Sequence, residues 1–518
     1  MSIEPLTWLR AQALPATALS TDTRTLEAGD IFVALPGLRG DAARYVDAAV
    51  QRGARAVLLH VDEPPAAAIG QSHAAVPVLA VPGLARRIGP LAAAFYGNPS
   101  AQLRTIGITG TNGKTSTCQW TAQLLSACGL PCASTGTLGY SFGGHHDTAL
   151  STLTTPDAVG MQRMARRARD AGAAALAFEA SSIGLEQGRL DGMSIEVAVF
   201  TNLTRDHLDY HGSMEAYGAA KRRLFDWPGL RHAVINLDDN YGLELARALC
   251  ARGAAVSGYT RDAARAAAVR GLAVVLASQD LQHGASGMSF TLEVQQGAAS
   301  TRQAVEALLV GDFNAHNLLA ALGAALACGA SLGSLTQAAR GLRAPAGRLQ
   351  PVSLAQQGAA DASLPLAIVD YAHTPDALSK AVQALRPLAQ ARDGQIWIVF
   401  GAGGDRDRGK RPVMAAAAAA ADELVLTSDN PRSEDPESIL DEVAAGLPAG
   451  RRFLRLADRA QAIQAALQQA AGADVVLIAG KGHEDYQEIA GRRLPFSDLA
   501  VARAALAQRQ QRAQEQRT

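Results

Sequence analysis

The segment Gly107-Ile-Thr-Gly-Thr-Asn-Gly-Lys-Thr115 follows a short apolar run and precedes a helical pattern. Glycines there let backbone N–H groups curl around phosphate oxygens, and the start of the following helix adds a positive dipole. In such a loop Lys114 reaches the terminal phosphates of a nucleoside triphosphate, and the Thr115 hydroxyl meets Mg²⁺. The strict phosphate-loop spelling carries Gly at position 108, where this chain has Ile. Gly107 and Gly110 supply the turn instead. The expected ATP-binding residues of the loop are Gly110, Thr111, Asn112, Gly113, Lys114, Thr115 and Ser116.

Four other residues are of chemistry-bearing types. Glu179 closes the apolar run Ala174–Phe178, at the carboxyl edge of a strand, where ligands gather in sheets of this kind. A carboxylate there can hold a divalent cation; by itself it reads more readily as a solvated charge. His207, in RDHLD, is either a metal ligand or a structural imidazole. Lys221 stands beside Ala219, Ala220 and Arg222 and, by residue type alone, reads as a surface lysine. Arg432 ends Asp429-Asn430-Pro431-Arg432. Its guanidinium either binds a carboxylate through two parallel hydrogen bonds or closes a turn after Pro431.

The loop spelling TGTNGKT resembles that of the Mur ligase family, which builds the peptide stem of peptidoglycan. Further ordered blocks carry the resemblance along nearly the whole chain: STDTR (20–24), GDIFVALPG (29–37), LTTPD (153–157), FEASSIGLEQGR (178–189), TNLTRDHLDYHG (201–212), EAYGAAK (215–221), INLDD (235–239), GDFNAHNLLAA (311–321), AGRL (346–349), DYAHTPD (370–376), FGAGGDRDRGKRP (400–412), DNPR (429–432) and GKGHEDYQ (480–487). The resemblance implies an ATP-dependent ligase that joins meso-2,6-diaminopimelate to the D-Glu γ-carboxylate of UDP-MurNAc-L-Ala-D-Glu through an acyl phosphate. It implies Lys114, Lys221 and His207 as catalytic residues, with Mg²⁺ held by Thr115, Glu179, His207 and Lys221. In this family the matching lysine carries a CO₂-derived carbamate, which requires a neutral amine and hence a depressed pKa. Asn314, Asn317, Arg348 and Asp370 map to further ATP contacts, although Asn314 reads nearly as well as a helix cap. His373 reads as support for its loop. Thr21, Thr23, Leu38, Arg39 and Gly40 map to the uridine nucleotide, and Thr154, Thr155, Ser181, Gln187 and Arg189 to the muramoyl-dipeptide. Arg406, Asp429, Asn430, Pro431, Arg432, Gly480 and Glu484 map to the diaminopimelate pocket, with Glu484 receiving the distal ammonium. Ile183 departs from the family's SSHGL and receives no role. GDAARY (40–45) departs from a DGH-like run, which weakens the individual uridine assignments. The nearest alternatives are the same ligation with L-lysine and a folylpolyglutamate-synthetase-like ligase.

These groups need elements to hold them. Residues 1–100 alternate apolar runs (Ile31–Leu35, Ala56–His60, Val76–Val81) with Ala-rich helical segments. After the phosphate loop, β-runs at Ala174–Phe178, Val197–Phe200 and Ala233–Asn236 alternate with helices, which predicts a mostly parallel sheet. A second alternating block has strands at Leu366–Val369, Ile396–Phe400, Glu423–Thr427 and Val475–Ala479 and is Rossmann-like. The expected architecture is α/β in three domains: a UDP-binding domain over 1–101, a central ATPase-like domain over 102–342 and an amino-acid-binding domain over 343–518. The segment 344–350 serves as linker. The Ala415–Ala421 run predicts a helix, and the polar tail from Ala507 predicts a frayed end.

Bulk properties narrow the class. The chain has 518 residues, 48% hydrophobic and 19% charged, with 48 Lys+Arg against 48 Asp+Glu. Balanced charge gives no electrostatic case for nucleic acid. Five cysteines without a CxxC pair argue against a zinc site and for reduced, cytoplasmic thiols. Glycines interrupt the uncharged stretch Leu318–Ala339, which predicts a buried helix stopping at Gly329 and a second helix capped by Ser331 in place of a membrane span. The N-terminus lacks a signal-peptide pattern. FGAGGDRD fails the dinucleotide fingerprint because position 406 is Arg. A cytoplasmic monomer acting on small molecules is expected.

Overall fold

The computed structural model describes residues 4–36, 42–62, 76–147, 153–284, 287–354 and 363–515. Two compact units emerge. One comprises Met1–Ala277, Val294–Thr301 and Leu318–Leu335; the other comprises Ser278–Glu293, Arg302–Asn317 and Thr336–Thr518.

The first unit opens with a four-stranded parallel sheet in the order Leu19–Ser20, Ile31–Ala34, Ala56–Val61, Val78–Pro82. Alternate residues feed opposite faces. Ile31 and Val33 pack with Leu84, Ile88 and Ala92 of the helix Leu84–Phe95, while Phe32 and Ala34 pack with Val46 and Ala49. The helix Pro5–Gln12 starts where the Glu4 carboxylate accepts from Thr7 N at 2.8 Å.

A larger sheet follows. Its parallel strands run Val256–Thr260, His232–Asn236, Val197–Phe200, Arg104–Thr109, Ala175–Glu179, Cys132–Gly136. Gly139–Phe142 and His145–Asp147 extend it antiparallel. Three further long strands are Val274–Gly284, Gly287–Gln296 and Ala299–Ala307. The parallel strands end in register. Ile108 pairs with Glu179, Thr109 with Phe200, and Phe200 with Ile235. Loops following these strands therefore leave one carboxyl edge, and the chemistry-bearing residues lie on them.

The second unit holds a six-stranded sheet, parallel except at Gln350–Pro351, in the order Gln350–Pro351, Leu366–Asp370, Val475–Ala479, Ile396–Phe400, Glu423–Leu426, Leu454–Arg455. Ile368, Ile398 and Leu477 fill one face, and Val369, Val399 and Ile478 the other. Ala415–Ala418 of the Ala-rich run lie in the helix Lys410–Ala418, which ends there, so Ala419–Ala421 fall outside the predicted helix. The helices Asp312–Ala327 and Leu332–Ala339 flank Gly329, with Ser331 Oγ accepting from Ser334 N at 3.2 Å as the cap pattern predicts. Among the described residues no helix is long and apolar enough to cross a membrane.

The expected frayed tail is corrected. The helix Asp498–Glu515 continues past Ala507 because Ala502, Ala505 and Leu506 are buried and Arg509 Nη1 donates to Leu467 O at 2.5 Å and Ala470 O at 2.6 Å. At its start, Asp498 and Arg459 form an ion pair of 2.7 Å with both side chains 0% exposed. Removing one partner of such a pair strands a buried charge. Asp498→Ala should lower unfolding stability by about 3 kcal/mol in urea titration.

Candidate active site

The phosphate loop is braced from one segment. Thr111 N donates to Asn202 O at 2.8 Å, Asn112 N to Asn202 Oδ1 at 2.9 Å, and Thr201 Oγ1 to Asn112 O at 2.6 Å. Gly110 has φ +147°, and a Cβ there would overlap Thr201 Oγ1. Close approach, together with positive φ, explains the glycine. Lys114 is the first residue of the helix Lys114–Ala127, with Gly113 as its left-handed cap. Thr115 and Ser116 follow, both buried. The amides of a helix's first turn suit an anion. Lys114 Nζ folds back onto the loop, donating to Gly110 O and Thr111 O, each at 2.9 Å.

Lys221 is not on the surface. It lies on the helix Met214–Arg222 at 1% exposure, and its Nζ donates to Gly110 O at 2.9 Å, the carbonyl that Lys114 also reaches. Its Nζ sits 4.1 Å from the centre of the Tyr217 ring. Burial, and then the nearby Lys114 charge, push its pKa down to about 6. The amine is thus neutral at physiological pH. Tyr217 also meets the His207 ring edge-on at 6.1 Å and donates its hydroxyl to Thr111 Oγ1 at 3.2 Å. His207 is half exposed, with φ +51°, 3.6 Å from Asp206. Glu179 ends its strand as expected, and Thr137 holds its carboxylate through N at 2.8 Å and Oγ1 at 3.2 Å. Among the described residues no group of three or more His, Cys, Asp or Glu could hold a metal.

A polar cluster adjoins Glu179. Thr155 Oγ1 donates to Glu179 O at 2.8 Å and lies 2.9 Å from Ser181 Oγ, which caps the helix Ser182–Glu186. Thr154 Oγ1 lies 3.2 Å from Thr137 Oγ1. Arg189 donates to Thr155 O at 2.9 Å and through Nη2 to Gln187 Oε1 at 2.7 Å. Gln187 Nε2 reaches the Tyr210 hydroxyl at 3.1 Å. Thr154, Thr155, Ser181, Gln187 and Arg189 are thus brought together. Thr21 Oγ1 donates to Asp157 Oδ2 at 2.9 Å. Thr23 is engaged through its carbonyl, which accepts from Arg52 Nη1 at 2.8 Å. Leu38, Arg39 and Gly40 lie outside the described residues. Ile183 supplies no imidazole, but His211 stands nearby, 3.0 Å from Ser182 Oγ and 3.0 Å from Glu186. Sequence reasoning passed over His211 and Tyr217, whose signal lay in DYHG and EAYG.

In the second unit, the nucleotide candidates are occupied with local structure. Asn314, the third residue of the helix Asp312–Ala327, donates Nδ2 to Val310 O at 2.7 Å, and its Oδ1 accepts from Asn317 Nδ2 at 3.0 Å. Asp370 accepts from Leu349 N at 2.7 Å and Ala372 N at 2.8 Å, and burial raises its pKa. Arg348 lies over the Tyr371 ring at 5.1 Å, with a buried Nε that has no hydrogen-bond partner. His373 Nδ1 donates to Tyr371 O at 2.8 Å, the loop support expected of it.

A cavity of about 340 Å³ in this unit is lined by Arg406, Lys410, Asp429, Asn430, Arg432 and Glu484, among others, with Gly480 in its wall. Pro431 O accepts from Glu434 N at 3.0 Å and turns the chain. Arg432 has φ +53°, an unfavourable region for a non-glycine residue. Arg432 N donates to Glu488 O at 2.9 Å, and Ala490 N donates to Arg432 O at 2.7 Å; both bonds hold it there. Its guanidinium lines the cavity and donates to Gly404 O at 2.6 Å. Gly480 has φ +121°, and a Cβ there would stand 2.6 Å from Asp429 Oδ2. Burial raises the Asp429 pKa. The cavity thus offers cations and carboxylates together, which suits a zwitterion with charges at both ends.

The chain matches the Mur ligase middle domain over residues 108–325 and the Mur ligase glutamate ligase domain over residues 347–482. It is 46% identical to UDP-N-acetylmuramoyl-L-alanyl-D-glutamate–2,6-diaminopimelate ligase of a Janthinobacterium species, covering 97% of this chain and 96% of that one. It is 45% identical to the ligase of the same name from an Acidovorax species, covering 98% and 97%. A solved structure of a ligase of that name superposes with a TM-score of 0.67 at 35% identity, covering 98% of this chain and 100% of that one.

Proposed function

The chain belongs to the Mur ligase family, and on that premise we propose that it joins meso-2,6-diaminopimelate to the D-Glu γ-carboxylate of UDP-MurNAc-L-Ala-D-Glu. It is an ATP-dependent ligase of peptidoglycan synthesis. The observation that carries the choice of amino acid is the cavity that gathers Arg406 and Arg432 with Asp429 and Glu484. Diaminopimelate differs from lysine by a distal carboxylate, which a guanidinium binds with two parallel hydrogen bonds.

The reaction has two steps. A γ-carboxylate oxygen of the dipeptide attacks the ATP γ-phosphorus, ADP leaves, and an acyl phosphate forms. The amine at the L-centre of diaminopimelate then attacks the acyl carbon. The C–N bond forms, the nitrogen loses a proton, and phosphate leaves. The phosphate loop and Lys114 bear the charge on the transferring group. Thr154, Thr155, Ser181, Gln187 and Arg189 orient the dipeptide in this reading, with Thr21, Thr23 and the segment 38–40 at its uridine end. Asn314, Asn317, Arg348 and Asp370 attend the nucleotide.

Thr115, Glu179, His207 and Lys221 are the residues that would hold Mg²⁺, which when bound neutralises phosphoryl oxygens. Lys221 acts there as a carbamate. Support comes from its neutral amine and from crowding: two lysine Nζ atoms share the Gly110 carbonyl. Carbamylation would replace that neutral amine with an anion that attracts Lys114. The domains act over 1–101, 102–342 and 343–518, in a cytoplasmic monomer.

The test is phosphate release. We expect it to require ATP, the UDP-dipeptide and diaminopimelate together. With ¹⁸O in the γ-carboxylate, one labelled oxygen should appear in the released phosphate. Release with ATP alone, or unlabelled phosphate, would count against the acyl phosphate.

A further inference from the structure

We propose that Lys481 is a positioning residue of the amino-acid pocket, locking Asn430 and Glu484 into one arrangement and so setting which amino acid the cavity accepts. This rests on the functional reading above and assigns a role to a residue that the reading does not use.

Lys481 is 0% exposed. It follows Gly480 but does not line the cavity; it lies behind it. Its Nζ donates to Glu484 Oε2 at 2.8 Å and to Asn430 Oδ1 at 3.0 Å. The Tyr486 ring centre lies 5.3 Å away. Asn430 Oδ1 also accepts from Glu488 N at 2.9 Å, and Asn430 Nδ2 donates to Glu484 Oε2 at 3.1 Å. This pattern permits one amide orientation. Flipping Asn430 would set its NH₂ against an ammonium and a backbone N–H. Glu484 Oε2 thus has two donors. Glu484 Oε1 has none among the described residues and remains available to a ligand.

A buried ammonium is costly unless paired, and an apolar side chain of similar length would fill the space. The charge is explained by what it does to its partners. Asp429 and Glu484 face a cavity that also holds Arg406, Lys410 and Arg432. Without Lys481, the Glu484 carboxylate is free to swing onto those cations and block the place of the substrate's own carboxylate. With Lys481 behind it, Glu484 stays at the wall and presents one oxygen to a distal ammonium.

The experiment uses the full-length enzyme with Lys481→Met, Glu484→Gln and the double variant, with thermal melting as a folding check. Lys481→Met should raise the KM for diaminopimelate about 30-fold, with kcat within about threefold and the KM for ATP within about twofold. The double variant should be no worse than Glu484→Gln, because Lys481 acts through that carboxylate. A folded Lys481→Met enzyme with unchanged KM would overturn the proposal, as would single effects that multiply in the double variant. Should Lys481→Met not fold, the double variant removes the stranded carboxylate and is compared with Glu484→Gln alone. Failure of both to fold would assign Lys481 to stability and overturn the proposal. A wild-type enzyme unable to use diaminopimelate would sink the functional reading first, before any variant is compared.

Discussion

Replacing Lys221 with Ala should lower turnover about 10²–10³-fold, since it removes an anionic ligand from the centre of charge transfer. Lys221→Arg should be as inactive, because a guanidinium keeps the positive charge and cannot bond CO₂. This pair of variants separates a carbamate from a simple cation, which arginine would replace. Acetate should restore part of the activity to Lys221→Ala by occupying the vacated space. The wild-type enzyme should slow in buffer stripped of CO₂ and recover with bicarbonate. Activity should also fall as pH drops through about 6, where the Lys221 amine becomes protonated and no longer holds the carbamate. The sign is diagnostic, because an ammonium required as such would give activity rising in that direction. Full activity of Lys221→Ala without bicarbonate would rule the carbamate out.

Arg432→Ala should raise the KM for diaminopimelate about 10²-fold, leaving an anionic end of the substrate desolvated and unpaired. The KM for ATP should move by no more than about twofold. The preference for diaminopimelate over lysine should fall by a similar factor, since lysine has no distal carboxylate to lose. Arg432→Lys should recover little, because an ammonium is a point charge without the planar fork. Backbone geometry adds to this. Arg432 sits at φ +53°, and that turn aims its side chain at the cavity. Asn or Gly would relieve strain there and still abolish selection. A variant that melts normally but retains discrimination would move the carboxylate site elsewhere, with Arg406 the next candidate.

Much of this framework was legible in the residues. Ala175–Glu179, Val197–Phe200 and Ile396–Phe400 are covered on both faces, so they read as continuous apolar runs. The three strands from Cys132 to Asp147 were not legible. They carry Ser, Thr, Gly and His, and pairing within the sheet, more than side-chain type, makes them strands. Val274–Gly284 and Gly287–Gln296 carry polar residues and are only partly buried, so neither reads as an apolar run. The terminal helix looked frayed by composition, and long-range contacts extend it: Ala502, Ala505 and Leu506 are buried, and Arg509 bonds carbonyls at the end of the helix Arg459–Gln469.

The candidate site divides in the same way. The phosphate loop is local, so its spelling suffices. Lys221 reads as a surface lysine from its neighbours because its burial comes from Tyr217 and from a loop 111 residues away in sequence. Lys481 and His211 were likewise invisible as participants, since each acts on side chains rather than on a ligand.

The most direct measurement is the mass of the UDP-linked product formed with ATP, UDP-MurNAc-L-Ala-D-Glu and equal concentrations of meso-diaminopimelate and L-lysine. A product carrying diaminopimelate, formed one for one with ADP and phosphate, is the result predicted. A lysine product, or ADP formed without any amide, would contradict it.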